Sequence, residues 1–371
     1  MKLFIHRKDT LRQLAYHDGK LFVEFDADVS EKEGILNAIF CGRVIRVTAD
    51  YALLDIDRKN PAFLQETEGL REGQHLIVQV KREEVTDKGK ALSGNLKKGL
   101  MVTRAIQIVT PYFVFQPSTT EKNVAFAKTV KNPQDIQIIG GRFLKDKMGK
   151  IVFRSRAENA LEEKLLNALE STYKAWQMAV HLGKKPGFLL TGRSNVERLI
   201  DQYQPATILV DSVKDYWDVQ NYVRTYPFPC DIEMQQENLF EKSGAAEEWD
   251  MLVSPWIKTP SGGLIVVEQT SSFISLDVNQ GTSKLSLSLL NIEAAKFIPE
   301  ILLKLQLNGN ILIDFAGNVV KTHQNEIILA LKSALPSDIS YLSWSGMGWL
   351  EMRRPRTRAT LLELLNQKDV G

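Results

Sequence analysis

Two hydrophobic runs of this 371-residue chain finish in a carboxylate: Ile274-Ser275-Leu276-Asp277-Val278-Asn279 and Ile311-Leu312-Ile313-Asp314-Phe315. In an α/β layer, ligands collect outside the carboxyl ends of strands, and a hydrophobic strand has no structural need for a terminal Asp. Asp277 and Asn279 are two apart, so both side chains leave one face of a strand. Two Asp oxygens and an Asn oxygen form a hard-ligand set suited to Mg²⁺, which takes one or two protein carboxylates and completes its shell with water and substrate phosphate. Phosphoryl chemistry is the expectation. The alternative is that each Asp caps a helix or a turn, positions that Asp and Asn favour. Glu268, at the end of another strand, is a weaker third candidate on the same rim.

The elements that must position these residues follow from the pattern around them. Apolar runs at 263–269 and 272–278, joined by Thr270-Ser271, read as a hairpin. A helix over 285–307, kinked or broken by Pro299, is expected before the strand at 310–315, then a helix over 322–335, strands at 339–344 and 349–352, and a last helix over 359–367. Strands alternating with helices make this third of the chain an α/β layer. Residues 1–34 read as a β meander, and four short strands between 38 and 81, bounded by Gly, Asn, Pro and Asp, suggest a small OB-type barrel. Leu161, Leu165, Leu166, Leu169, Tyr173, Trp176 and Val180 recur at helical spacing, a second helix is expected over 195–203, and 235–250 reads as a mobile linker or short helix.

Composition narrows the classes without choosing among them. A hydrophobic fraction of 44% with 25% charged residues is ordinary for folded protein. No apolar run reaches the ~18 residues of a membrane span, and charge interrupts the first residues too soon for a secretory signal, so a cytoplasmic address and no membrane partner are expected. Cys41 and Cys230 are the two cysteines, which removes a disulfide scaffold and a Cys-rich zinc site. With 47 basic and 45 acidic residues nearly cancelling, nucleic-acid binding must come from a local patch.

Five ordered blocks carry a resemblance over most of the chain: Pro260-Ser261-Gly262-Gly263 through Thr270, Leu276-Asp277-Val278-Asn279-Gln280-Gly281, Asn291-Ile292-Glu293-Ala294-Ala295, Ile311–Phe315, and Gly348-Trp349-Leu350-Glu351-Met352-Arg353-Arg354. Together they resemble the catalytic region of the ribonuclease E/G endoribonucleases. The resemblance implies an α+β multidomain fold. An RNase H-like subdomain (1–34 and 206–252) would be split by an inserted OB-fold RNA-binding barrel (35–104) and a 5′-end sensor-like domain (105–205), with an α/β DNase I-like catalytic domain (253–371) after it. It also implies that Asp277 and Asp314 hold Mg²⁺, that Asn279 hydrogen-bonds one of them, and that single-stranded RNA is hydrolysed to 5′-phosphate and 3′-hydroxyl ends. Phe63 matches a base-contacting aromatic, Lys88 lies in a segment resembling the basic turn at the barrel's end, and Arg154 with Ser155 match the sensor of the RNA 5′ end. A guanidinium beside a hydroxyl can hold a terminal monophosphate by charge-assisted hydrogen bonds.

This chain also departs from the family pattern. Leu53 stands where the aromatic partner of Phe63 is usual, Ser283-Lys284-Leu285-Ser286 replaces an Arg- and Gly-rich stretch, and Ala316-Gly317-Asn318 replaces a second acidic residue after Asp314. There is no Cys-Pro-X-Cys link, so no zinc-linked dimer is expected. The arginine-rich tail Arg353-Arg354-Pro355-Arg356-Thr357-Arg358 reads either as an RNA-phosphate contact, with Arg353 and Arg354 foremost, or as a solvated basic loop. A catalytically weakened RNA-binding or regulatory protein on the same scaffold is the alternative to the nuclease. An enzyme acting on small nucleotides is disfavoured by the barrel and the sensor-like segment.

Overall fold

Period-two patterning near the start of the chain yields three antiparallel strands, Lys2–Lys8, Leu11–His17 and Phe22–Val29. The computed structural model describes residues 1–9, 11–29, 34–83, 85–87, 96–117, 119, 122–235, 238–270, 272–356 and 358–366. Lys2–Lys8 pairs in parallel with the distant strand Thr207–Val210, which pairs in parallel with Asp231–Met234, completing a five-stranded sheet. One face carries Leu3, Ile5, Leu14 and Tyr16 against helices Asn195–Tyr203 and Val213–Thr225. The first of these helices opens on a reciprocal cap: the Glu197 amide donates to Ser194 Oγ (3.2 Å) and the Ser194 amide to Glu197 Oε2 (3.0 Å). Phe4, Ala15 and Phe25 belong instead to the large core of the C-terminal layer.

Strands Ile39–Val47, Ala52–Asp55, Ala62–Leu64, Met101–Thr103 and His75–Arg82 form a closed five-stranded barrel of OB type, because Ile39–Arg43 also pairs with His75–Gln79. Gly187–Leu190 adds to the barrel at Ile39–Cys41. That pairing joins segments about 150 positions apart in sequence, and no local pattern announces it. A third unit packs strands Ile108–Val109, Phe113–Gln116, Lys150–Phe153 and Asn123–Phe126 against helices Gln134–Phe143 and Glu162–Leu182. The paired glycines at 140 and 141 hide the shorter helix from a sequence reading. Gly140 is needed there, since a Cβ would lie 2.8 Å from the Phe153 ring.

The C-terminal sheet runs Trp256–Lys258, Leu264–Gln269, Ile274–Asn279, Gly309–Asp314, Leu350–Arg354, Tyr341–Trp344. Its two central strands, Ile274–Asn279 and Gly309–Asp314, are parallel and joined by helix Leu287–Lys304, while the other pairs are antiparallel. Contrary to expectation, that helix is not broken at Pro299. The proline is buried along with Ile298, Ile301 and Leu302, and packing on the sheet offsets the lost backbone bond. Of the two readings of the weakly patterned stretch 235–250, a short helix is the one found: Leu239–Ser243 and Ala245–Leu252 are helical, and their Phe240, Trp249 and Leu252 reach the same core. Among the described residues no helix is long and apolar enough to cross a membrane.

Candidate active site

Strand Ile274–Asn279 buries Ile274, Leu276 and Val278 and turns Asp277 and Asn279 to solvent. Strand Gly309–Asp314 does the same with Ile311 and Ile313 against Asp314. Because the two strands are parallel and in register, Asp277 stands directly beside Asp314 on the exposed face, at the carboxyl ends of both. Neighbouring strands are about 4.8 Å apart, so the carboxylates flank one point above the sheet. Asn279 Nδ2 donates to Asp277 Oδ2 (2.8 Å), which orients that carboxylate. The three positions singled out by chemistry are therefore brought together. Glu268 does not join them on that rim: its strand is antiparallel to Ile274–Asn279, so it lies exposed opposite Ser275, two positions from the Asp277 row towards the amino end of that strand.

The loops bearing these residues are fixed by helix Leu287–Lys304. Buried Asn291 donates from Nδ2 to the Ala316 carbonyl and accepts from the Ala316 amide at Oδ1, both at 3.0 Å, pinning the turn just past Asp314. Glu293 accepts from Thr259 Oγ1 (2.7 Å), the Ser261 amide (3.0 Å) and Ser261 Oγ (2.6 Å), anchoring the turn before Leu264. That turn packs against the one after Asn279: Gly281 has φ of +53°, and a Cβ there would stand 2.5 Å from the Gly262 carbonyl. Asn291 and Glu293 belong to a motif block, yet sequence reasoning assigned them no task. Their bonds run to residues 25 and 32 to 34 positions away.

The donor set matches a hard divalent ion in kind. Among the described residues no group of three or more His, Cys, Asp or Glu side chains gathers as a metal cage. Two carboxylates and an amide, open to solvent, are the arrangement that leaves coordination positions for water and a phosphate oxygen, as Mg²⁺ prefers.

On the barrel, Phe63 is 36% exposed and Leu53 lies opposite it in register. The second ring comes from Tyr51, two residues earlier, 37% exposed and with its centroid 5.7 Å from that of Phe63. Gly99 makes room for the Phe63 ring, since a Cβ would come within 2.4 Å of it. Tyr51 was missed because strand pairing, not sequence spacing, sets the two rings together. Lys88 lies outside the described residues.

Ser155 lines a cavity of about 680 Å³ with Lys131, Asn132, Arg156 and Lys164. Arg154 is not part of that lining: its Nη1 donates to the Thr110 carbonyl (2.9 Å), and burial together with nearby Arg193 pulls its pKa below the usual arginine range. Arg156 is held by Asp201 (3.2 Å) and the Tyr226 carbonyl (2.9 Å), with its guanidinium carbon 5.1 Å from the centre of the Phe228 ring. Arg353 is exposed on the C-terminal sheet. Arg354 turns inward instead, donating to Asp338 (2.8 Å) and to the Leu302 and Leu307 carbonyls (both 3.1 Å). Arg358 bonds Asp26 (2.6 Å) and Glu24 (3.0 Å), and Arg356 pairs with Glu363, so three of the four arginines of the basic tail are engaged within the molecule.

Known proteins resemble this chain over most of its length. The "Ribonuclease G" of Escherichia coli K12 and that of Salmonella typhimurium SL1344 are each 24% identical over 98% of this chain and 81% of their own length. The "Ribonuclease E" of Buchnera aphidicola (subspecies Schizaphis graminum) is 25% identical over 95% of this chain and 40% of its own length. The profile of the "Ribonuclease E/G family" matches residues 107–357, more than half of the chain. The chain belongs to the ribonuclease E/G family, and membership supports a nuclease-type activity in RNA processing or decay.

Proposed function

We propose that this protein is a Mg²⁺-dependent endoribonuclease that hydrolyses single-stranded RNA to 5′-phosphate and 3′-hydroxyl products, with Asp277 and Asp314 holding the ion and Asn279 orienting Asp277. The observation that carries the reading is the in-register pairing of Asp277 with Asp314 at the carboxyl ends of adjacent parallel strands. When bound, the ion supplies Lewis-acid polarisation of the scissile phosphodiester and a lowered pKa for attacking water. Asp277 and Asp314 would hold the ion and balance its charge, Asn279 would keep one carboxylate from rotating away, and the exposure of all three leaves them accessible to a single strand. Phe63 and Tyr51 offer stacking faces on the barrel, and exposed Arg353 offers a phosphate contact. Ser155 and Arg154 are assigned to recognition of the RNA 5′ end. For Arg154 this requires release of the Thr110 carbonyl or an indirect role.

Strand order supports the domain reading within the same proposal. The first sheet, a meander extended by two parallel strands from 207–210 and 231–234, suits an RNase H-like subdomain spanning 1–34 and 206–252. The barrel at 35–104 and the sensor-like unit at 105–205 are then insertions, followed by a DNase I-like catalytic domain at 253–371. A cytoplasmic address is assigned on the same footing.

The test is incubation with a labelled single-stranded oligoribonucleotide bearing a 5′-monophosphate or a 5′-hydroxyl, in Mg²⁺ or in EDTA. Cleavage in Mg²⁺ that is absent in EDTA and in Asp277→Asn is expected. Tight binding without cleavage in any condition would instead establish the regulatory alternative. Faster cleavage of the monophosphate that is lost in Arg154→Ala and Ser155→Ala is expected for end recognition.

A further inference from the structure

Strand Trp256–Lys258 forms one edge of the C-terminal sheet. Ile257 is buried in the core, which forces Trp256 and Lys258 onto the opposite, solvent-facing side. Register then places them. Trp256 is opposite Val266, Val266 opposite Asp277, and Asp277 opposite Asp314, so these four residues form one row across four strands on one face. Lys258 stands in the next row, opposite Leu264, which is opposite Asn279. Two strand spacings put the Trp256 backbone about 10 Å from that of Asp277. Trp256 is 51% exposed.

An exposed indole and an ammonium group, side by side on the face that bears the carboxylate pair, match two parts of one ligand. The flat ring takes a base by stacking, and the ammonium takes a backbone phosphate. We infer that Trp256 and Lys258 form a nucleotide subsite on the catalytic sheet, in which Trp256 stacks on a base next to the scissile phosphate of a single-stranded RNA and Lys258 contacts the adjoining phosphate. The subsite rests on the reading of Asp277 and Asp314 as the reacting centre. It adds an aromatic contact distinct from the Phe63–Tyr51 pair on the barrel and polarises the strand's path, with Lys258 on one flank of the acidic pair and Arg353, opposite Asn310, on the other.

The test uses equilibrium binding in EDTA, which needs no cleavage. A set of single-stranded oligoribonucleotides, each with one abasic ribose at a successive position, is titrated against the full chain, Trp256→Leu and Trp256→Phe. Wild type is expected to lose about 5- to 100-fold in affinity for an abasic residue at one position in addition to any read by the barrel. Trp256→Leu, which removes the aromatic face but keeps an apolar side chain, is expected to bind the intact strand that much more weakly and to become indifferent to the abasic residue there. Trp256→Phe is expected to fall between them. Lys258→Gln should lower the salt dependence of binding. Identical abasic profiles for wild type and Trp256→Leu would overturn the subsite. Mapping cleavage in Mg²⁺ separates the two claims: a Trp256-dependent position in a strand that is never cut would refute the nuclease reading and leave the subsite standing. A Trp256-dependent position far from the cut would overturn the placement beside the scissile phosphate.

Discussion

Asn279 contributes no charge, yet its amide sets the orientation of one of the two paired carboxylates. Replacement by Ala is expected to lower Mg²⁺-supported cleavage by about 10- to 100-fold while RNA affinity in EDTA stays unchanged, as for other groups that orient a metal ligand. On the barrel, Tyr51→Ala and Phe63→Ala should each weaken single-strand binding by about 1–3 kcal/mol, measured by titration in EDTA. Asp277, Asn279 and Asp314 were legible in the sequence because each needs only local logic: a period-two strand and an acid at its end. Tyr51 was not, because the aromatic expected at position 53 is supplied through a neighbouring ring whose proximity depends on the pairing of Ala52–Leu54 with Ala62–Leu64. Arg354 marks the converse case. Its place in an arginine-rich run suggested RNA contact, but its donors meet Asp338 and the carbonyls of Leu302, in the last turn of helix Leu287–Lys304, and Leu307, just past it.

Helix Leu287–Lys304 is the element on which the site depends, since it connects the two carboxylate-bearing strands and ties down the turns at their ends. Asn291 is 1% exposed, and Asn291→Ala leaves both the amide and the carbonyl of Ala316 without their partner. A stability loss of about 1–3 kcal/mol in urea unfolding is expected, with a larger fractional loss of cleavage than of RNA binding, because the released turn carries Asp314. The helix itself was legible from its apolar pattern and its block Asn291-Ile292-Glu293-Ala294-Ala295. Its continuity through Pro299 was not, since burial on a sheet is a tertiary effect that overrides a local breaker.

At the scale of the whole molecule, strand Phe22–Val29 places Glu24, Asp26 and Asp28 on one buried face, and arginines from the neighbouring strand and from two remote segments neutralise it. Arg12 pairs with Asp28 (2.6 Å), Arg198 with Glu24 and Asp26 (both 2.6 Å), and Arg358 with the same two carboxylates. The chain end is thereby tied to its beginning. Burial alone would raise the pKa of Glu24, but the guanidiniums of Arg198 and Arg358 and the Tyr203 hydroxyl hold it below the usual carboxylate range. Asp215 is likewise raised by burial and pulled lower still by Arg7 and Arg12. A depressed folded-state pKa contributes stability above the unfolded value, and that stability is lost as pH falls through the folded value. Thermal unfolding is therefore expected to shift to lower temperature once pH drops below about 4. Arg358→Ala should cost about 3 kcal/mol and move the onset of acid unfolding to higher pH, measured by thermal melts across pH. The layers and the barrel were readable from strand and helix periods. This network was not, because acids spaced by two on a strand look solvated until a distant Arg198 or Arg358 arrives.

The central claim is that Asp277 and Asp314 serve one ion in RNA cleavage, and a double-mutant cycle tests it most directly. Single-turnover cleavage in Mg²⁺ is measured for wild type, Asp277→Asn, Asp314→Asn and the double variant. The account predicts a severe loss in each single variant and a double variant scarcely slower than either, as for groups that act as a unit. Losses that simply add, or a single variant that cleaves at the wild-type rate, would contradict it.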